Sequence, residues 1–114
     1  MAKTLFAVTD CFGVTNLHQF SVEMELTCPS QPPAKLMIES ETAIAGILDF
    51  LPLGQAVRID RLEILSSGSL VLTFGERSVA IGPDRDYEAW TLTLASGELF
   101  VANPSGGVTH FAKG

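Results

Sequence analysis

The chain has 114 residues, 46% of them hydrophobic and 18% charged, which suits one packed domain over 1–114 and excludes a disordered tail. Lys and Arg total 7 against 13 Asp and Glu, a formal net charge of −6, and no basic run occurs. Phosphate backbones and anionic lipids are held by Lys and Arg, so this balance argues against nucleic-acid and membrane partners and favours a basic protein.

Leu5 to Thr9 reads as a first strand, and Gly13 to Asn16 as a turn. Met1 to Phe6 reaches Thr9-Asp10 before an apolar run of signal-peptide length can form. With Cys11 and Cys28 as the only cysteines, this predicts a cytoplasmic protein with reduced thiols. Phe20, Val22, Met24, Leu26 and Cys28 alternate with Ser21, Glu23, Glu25 and Thr27. That period predicts a strand with one face in the core and an acidic face in water. Gln31-Pro32-Pro33 stops it, because proline cannot donate to a ladder. Lys35 to Glu39 is a further strand, with Leu36 and Ile38 inward.

The period then changes. Ile44, Ile47, Leu48 and Leu51 fall on one face of a helix of about three turns. Ser40 is its expected N-cap, Glu41 suits its positive end, and Pro52 and Gly54 close it. Strand alternation returns with Val57 and Ile59 in one phase and Leu62 and Ile64 in the other. The shift at Asp60-Arg61 predicts a bulge or a bend. Short strands follow around Leu70–Phe74, Val79–Ile81, Trp90–Leu94, Leu99–Val101 and Val108–Phe111, separated by turns rich in Gly, Ser, Asn and Pro. The expected fold is α+β and mainly β: an antiparallel sheet or half-open barrel of about eight strands with one helix packed on it.

No motif of this chain carries catalysis. There is no G-x-S-x-G, Walker A or G-x-G-x-x-G. Cys11, His18, Cys28 and His110 lack the close pairing of zinc ligands, and Cys11 with His18 lacks a context that lowers a thiol pKa. Asp84, Asp86 and Glu88 could gather around an oxygen-seeking cation, but Asp favours turns and Arg85 sits among them. Neither a metal nor any other cofactor is expected.

Asp84-Arg85-Asp86-Tyr87-Glu88-Ala89-Trp90 resembles the D-x-x-Y-E-A-W signature of a family of small bacterial proteins of unknown function. Ile38-Glu39, Leu53-Gly54-Gln55-Ala56-Val57, Gly68-Ser69-Leu70 and Pro104-Ser105-Gly106-Gly107 extend the resemblance over residues 36 to 111. The inserted Ser105 and the segment around Pro32-Pro33 depart from the pattern. The resemblance implies a compact β-rich domain in a bacterial cytoplasm and, for some proteins of this kind, a role as an immunity protein in a toxin system. Within the motif, Trp90 opens the apolar face Trp90-Leu92-Leu94 and reads as a core anchor.

The expected function is therefore non-enzymatic binding of a basic protein, such as a cognate toxin. The surfaces expected to carry it are Glu23 and Glu25 on their strand and Asp84, Asp86, Tyr87 and Glu88 in their loop. Two alternatives stand beside it. One is a self-associating structural module, a homodimer joined through exposed strand edges. The other is a small-molecule-binding domain with His18 or Glu39 aimed into a cavity between helix and sheet.

Overall fold

A strand with one apolar face must bury that face against a second layer, and here one sheet supplies both layers by curling over itself. The computed structural model describes residues 2–19, 21–29, 31–49, 51–82, 88–104 and 106–112. In chain order the elements are β1 (Thr4–Leu17), β2 (Val22–Cys28), β3 (Gln31–Ile38), α1 (Glu41–Leu48), β4 (Ala56–Leu65), β5 (Leu70–Phe74), β6 (Arg77–Ile81), β7 (Trp90–Leu94), β8 (Leu99–Ala102) and β9 (Val108–Phe111). The sheet order is β6-β5-β4-β1-β2-β3-β7-β8-β9, antiparallel throughout. It reads as three meanders side by side, with β1-β2-β3 in the middle. The edges β6 and β9 stay apart, so the sheet is open, with nine strands rather than about eight.

The curl follows from contacts that a flat sheet forbids. β4 and β7 are four steps apart in the order, roughly 19 Å if flat. Yet the Trp90 indole N–H, at the start of β7, donates to the Gly68 carbonyl beyond β4 at 2.9 Å. Phe6 on β1 and Phe100 on β8 are also four strands apart, and their rings meet at 5.2 Å. The resulting body measures 31 × 30 × 28 Å, where a flat nine-stranded sheet would extend roughly 38 Å across its strands. Between the two halves lie Val8, Met24, Leu26, Leu36, Ile38, Ile59, Leu62, Ile64, Leu72, Trp90 and Leu92, all buried. Trp90 is the core anchor that its alternation predicts.

Two strands change face together. Val8 and Cys11 are buried while Thr9 and Asp10 between them are exposed. Opposite, Ile59 and Leu62 are buried around Asp60 and Arg61. Thr9 pairs with Arg61 and Cys11 with Ile59, so the ladder keeps its register through the change. The phase shift expected at Asp60-Arg61 is thus a bend, and Asp10 absorbs it with a φ of 56°.

The expected turn at Gly13–Asn16 is a correction: those residues continue β1, and the chain reverses after Leu17, where the His18 N–H donates to the Ser21 carbonyl. A turn needs glycine for its dihedrals, but Gly13 is there for space. A Cβ on it would stand 2.8 Å from Ile59 Cδ1 and 3.0 Å from Met24 Sδ. Pro33 falls within β3, near the point where the β2–β3 register shifts, which is where a strand tolerates proline.

α1 is capped by Ser40, whose side chain accepts from the Ala43 N–H, as expected. It is shorter than three turns. Ile47 and Leu51 are buried, but Leu48 is exposed, so the helix, which packs mainly against β6, buries a narrower stripe than its apolar pattern suggests. No helix among the described residues is long and apolar enough to cross a membrane.

Cys11 and Cys28 form a disulfide, which corrects the expectation of reduced thiols. Phe12 pairs with Thr27, so the next step of the hairpin sets Cys11 against Cys28, with Cα atoms 4.2 Å apart. Both side chains face the core. A separation of 17 residues in sequence conceals this opposition, which exists only once the register is known.

Protein prepared without reductant should show no free thiol on unfolding and an intact mass lower by two hydrogens. Replacing both cysteines by alanine should cost about 3 kcal/mol in urea unfolding, the loop-closure value for a ring of this size. Trp90→Phe keeps an aromatic in the core but leaves the buried Gly68 carbonyl unpaired, so a loss of about 1–3 kcal/mol is expected by the same measurement.

Candidate functional site

Residues two apart on a strand share a face, so Glu23 and Glu25 both stand on the outer face of β2. Their partners differ. The Glu23 carboxylate lies 3.6 Å from Lys35 Nζ and 3.8 Å from His18 Nε2, and its side chain is only 15% exposed. Glu23 is therefore tied into the sheet, which corrects the expectation of a wholly solvated acidic face. Glu25 is exposed and makes no ion pair or side-chain hydrogen bond among the described residues.

Beside Glu25 an open groove of about 490 Å³ crosses β2, β3 and β7. Glu25 and Lys35 face each other across the β2–β3 ladder, and Thr93 pairs with Lys35 from the other side. Thr27, Pro33 and Ala95 complete the polar-edged rim. The Ala95 N–H donates to the Pro33 carbonyl, which fixes this end of β7 on β3. The groove thus offers one free carboxylate, one ammonium already drawn toward Glu23, two hydroxyls and small apolar surfaces. That set can hold charged and hydrogen-bonding groups of a partner.

Of the loop residues expected at the site, Asp84, Asp86 and Tyr87 lie outside the described residues. Glu88 is exposed and leads into β7. It is five residues of chain from Thr93, roughly 16 Å as a strand, so it stands beyond the far end of the face that carries the groove. Ala89 and Trp90, the end of the same motif, are fully buried, and the Glu39 N–H donates to the Ala89 carbonyl. Lys35 and Thr93 are site residues that the sequence reading missed. Both fall on predicted strands, but nothing in the sequence says that β7 pairs with β3.

The second charged cluster is self-satisfied. Arg58 lies 2.7 Å from Asp10 and 3.2 Å from Asp60 on the outer face of β1 and β4. The hydrogen bond to Asp10, then the charge of Asp60, hold its pKa above the ordinary value. Asp60 also accepts from the Gly75 N–H. Thr4 donates its hydroxyl to Glu63, and Arg61 stands 3.3 Å from the same carboxylate. Exposed pairs of this kind contribute little to stability.

Cys11 and Cys28 are spent in their disulfide, so neither is a thiolate for metal or for nucleophilic attack. His110 stacks on Phe100 with ring centroids 4.3 Å apart, its Nε2 3.0 Å from Glu98. No group of three or more metal-ligating side chains gathers among the described residues. A gap of about 10 Å³ between the halves is lined by Phe6, Val8, Leu26, Leu62, Leu92 and their neighbours, and is apolar. Neither it nor the groove is lined by His18 or Glu39, the pair expected to mark a small-molecule cavity.

A family described as a family of unknown function, DUF6188, matches residues 9–112. No curated protein and no solved structure matches the chain.

The Thr4 hydroxyl, and then Arg61, hold the Glu63 carboxyl below its usual pKa. A carboxyl whose folded pKa is depressed stabilises the fold above its unfolded pKa and loses that contribution as pH falls through the folded value. Thr4→Val should therefore raise the Glu63 midpoint toward the ordinary carboxylate range in an NMR titration.

Proposed function

We propose that the chain, which belongs to the DUF6188 family of unknown function, acts by binding a basic protein on the outer face of β2, β3 and β7. The observation that carries this reading is Glu25: an exposed carboxylate with no ion pair or side-chain hydrogen bond among the described residues, set beside the open groove. Elsewhere on the sheet Asp10 and Asp60 share Arg58, Glu63 lies beside Arg61, and Glu23 lies beside Lys35. The net charge of −6 supports the same choice of partner, because opposite potentials speed encounter and fix register. Glu88, exposed just before β7, is the one acidic residue of the sequence motif that lies among the described residues.

The specific role we infer is that of a bacterial immunity protein, whose acidic surface occupies the basic cleft of a cognate toxin. Binding rather than turnover is the activity this requires. Disulfides persist in oxidising compartments and are rare in the reducing cytoplasm. The Cys11–Cys28 bond thus favours a meeting with the partner outside the cytoplasm over the cytoplasmic setting that the sequence suggests. Rapid alkylation in intact cells, followed by intact mass, separates the two settings.

A photo-reactive residue placed at Thr27, exposed on the groove beside Glu25, should cross-link a basic protein from the source cell, with a yield that falls as salt rises. The same probe at Arg61, on the self-satisfied β1–β4 face, should not. Glu25→Lys should weaken binding by about tenfold or more, the scale of one lost charge-assisted contact. Recovery of no basic protein, or of one whose capture ignores both salt and Glu25→Lys, sinks the reading. Co-expression with a growth-arresting neighbour gene tests the immunity role directly: growth should return with the wild-type chain and fail with Glu25→Lys.

A further inference from the structure

The sheet ends in β6 on one side and β9 on the other, and the two edges are treated differently. α1 packs against β6. No element among the described residues lies outside β9. An uncovered edge presents a row of unpaired N–H and C=O groups, which natural sheets guard by keeping the strand short, as the four residues of β9 are, or with lysine, proline, an inward charge or a bulge. Val108-Thr109-His110-Phe111 contains no lysine, no proline and no carboxylate. Its ladder with β8 runs without a register shift from Ala102–Val108 to Leu99–Phe111. Phe111 is 53% exposed at this edge.

The direction of the backbone groups follows from one hydrogen bond. The Asn103 N–H donates to the Gly107 carbonyl at the mouth of the β8–β9 hairpin. In an antiparallel ladder bonded pairs alternate, so Thr109 and Phe111 bond to β8, while Val108 and His110 turn their N–H and C=O groups outward.

We propose that β9 pairs antiparallel with β9 of a second copy of this chain about a twofold axis. Charge permits a copy at this edge. A chain of net charge −6 repels itself, but β9 carries no carboxylate, and Glu98, just before β8, is held by His110 at 3.0 Å. Symmetry supplies the rest. An axis through His110 sets His110 against its counterpart as a bonded pair and keeps the two outer faces aligned. Thr109 then lies opposite Phe111 of the copy, a β-branched residue against an aromatic, which is a favourable cross-strand pair. It covers the exposed ring twice over. A four-residue edge makes a contact well below the standard interface area, so the dimer forms in proportion to concentration.

This interface is separate from the Glu25 face, and the experiment keeps the two apart. Sedimentation equilibrium between about 10 μM and about 1 mM should show the mean mass rising toward twice the chain mass, the range a small edge contact implies. His110→Pro removes an outward N–H that no intrachain bond uses, and it should hold the chain monomeric with an unchanged circular dichroism spectrum. Phe111→Lys, at an exposed position, should do the same if the proline variant folds poorly. Glu25→Lys should leave the dimer intact. A wild-type chain monomeric over the whole range, which would leave the edge to a foreign strand, overturns the proposal. So does a dimer that survives both edge variants.

Discussion

The fold hangs on the closure made around the β4–β5 turn. Ser66 exchanges hydrogen bonds with Lys3, the Ser67 carbonyl accepts from the Gly107 N–H of the β8–β9 turn, and the Gly68 carbonyl accepts from Trp90. Three parts of the chain, its start, the head of β7 and the last hairpin, thus converge on one short turn. Gly68 makes this possible with a φ of 101°, a region that side chains strain to enter. Without that convergence the outer meanders would splay, and the apolar faces of β1, β4 and β5 would lose the layer that covers them. The indole bond is worth more than its modest net energy suggests, because it is buried and its acceptor has no solvent to fall back on.

Closure also decides what the outer surface can be. Once the inner faces of all three meanders are committed to one core, every alternate residue is forced outward, and the outer face inherits the polar half of each strand. On β1 and β4 each carboxylate of that half touches an arginine, with Arg58 shared by Asp10 and Asp60. On β2, β3 and β7 this is not so, because Lys35 turns to Glu23 and leaves Glu25 alone. The difference between a quiet surface and a candidate contact face thus comes down to which of two neighbouring carboxylates one ammonium reaches.

Much of this was legible in the sequence where a residue pattern maps directly onto a local period. The strict alternation from Val22 to Cys28 is a strand with its apolar side buried, Ser40 caps the helix, and Trp90 is in the core. The phase change at Asp60-Arg61 is real. What could not be read depends on register and on partners far away in the chain. Gly13 looks like a turn residue and is instead a residue with no room for a side chain. Leu48 fits the apolar stripe but stays exposed beside the narrow seam that α1 makes with β6. Cys11 and Cys28 look unrelated until the β1–β2 hairpin sets them opposite each other. The candidate site divides in the same way: Glu25 was visible as an outward strand carboxylate, whereas Lys35 and Thr93 joined it through the β3–β7 pairing.

The bend shared by β1 and β4 constrains how such a chain can change over time. Because Thr9-Asp10 and Asp60-Arg61 switch faces at the same rung, the two strands are correct only relative to each other. Dropping or adding one residue in either would invert the lining of half a ladder and push Val8 or Leu62 into water. Length variation is therefore confined to the reversals, or must occur as matched events 50 residues apart in the sequence. A gap in one strand unanswered by a gap in the other would mark a chain that no longer folds this way.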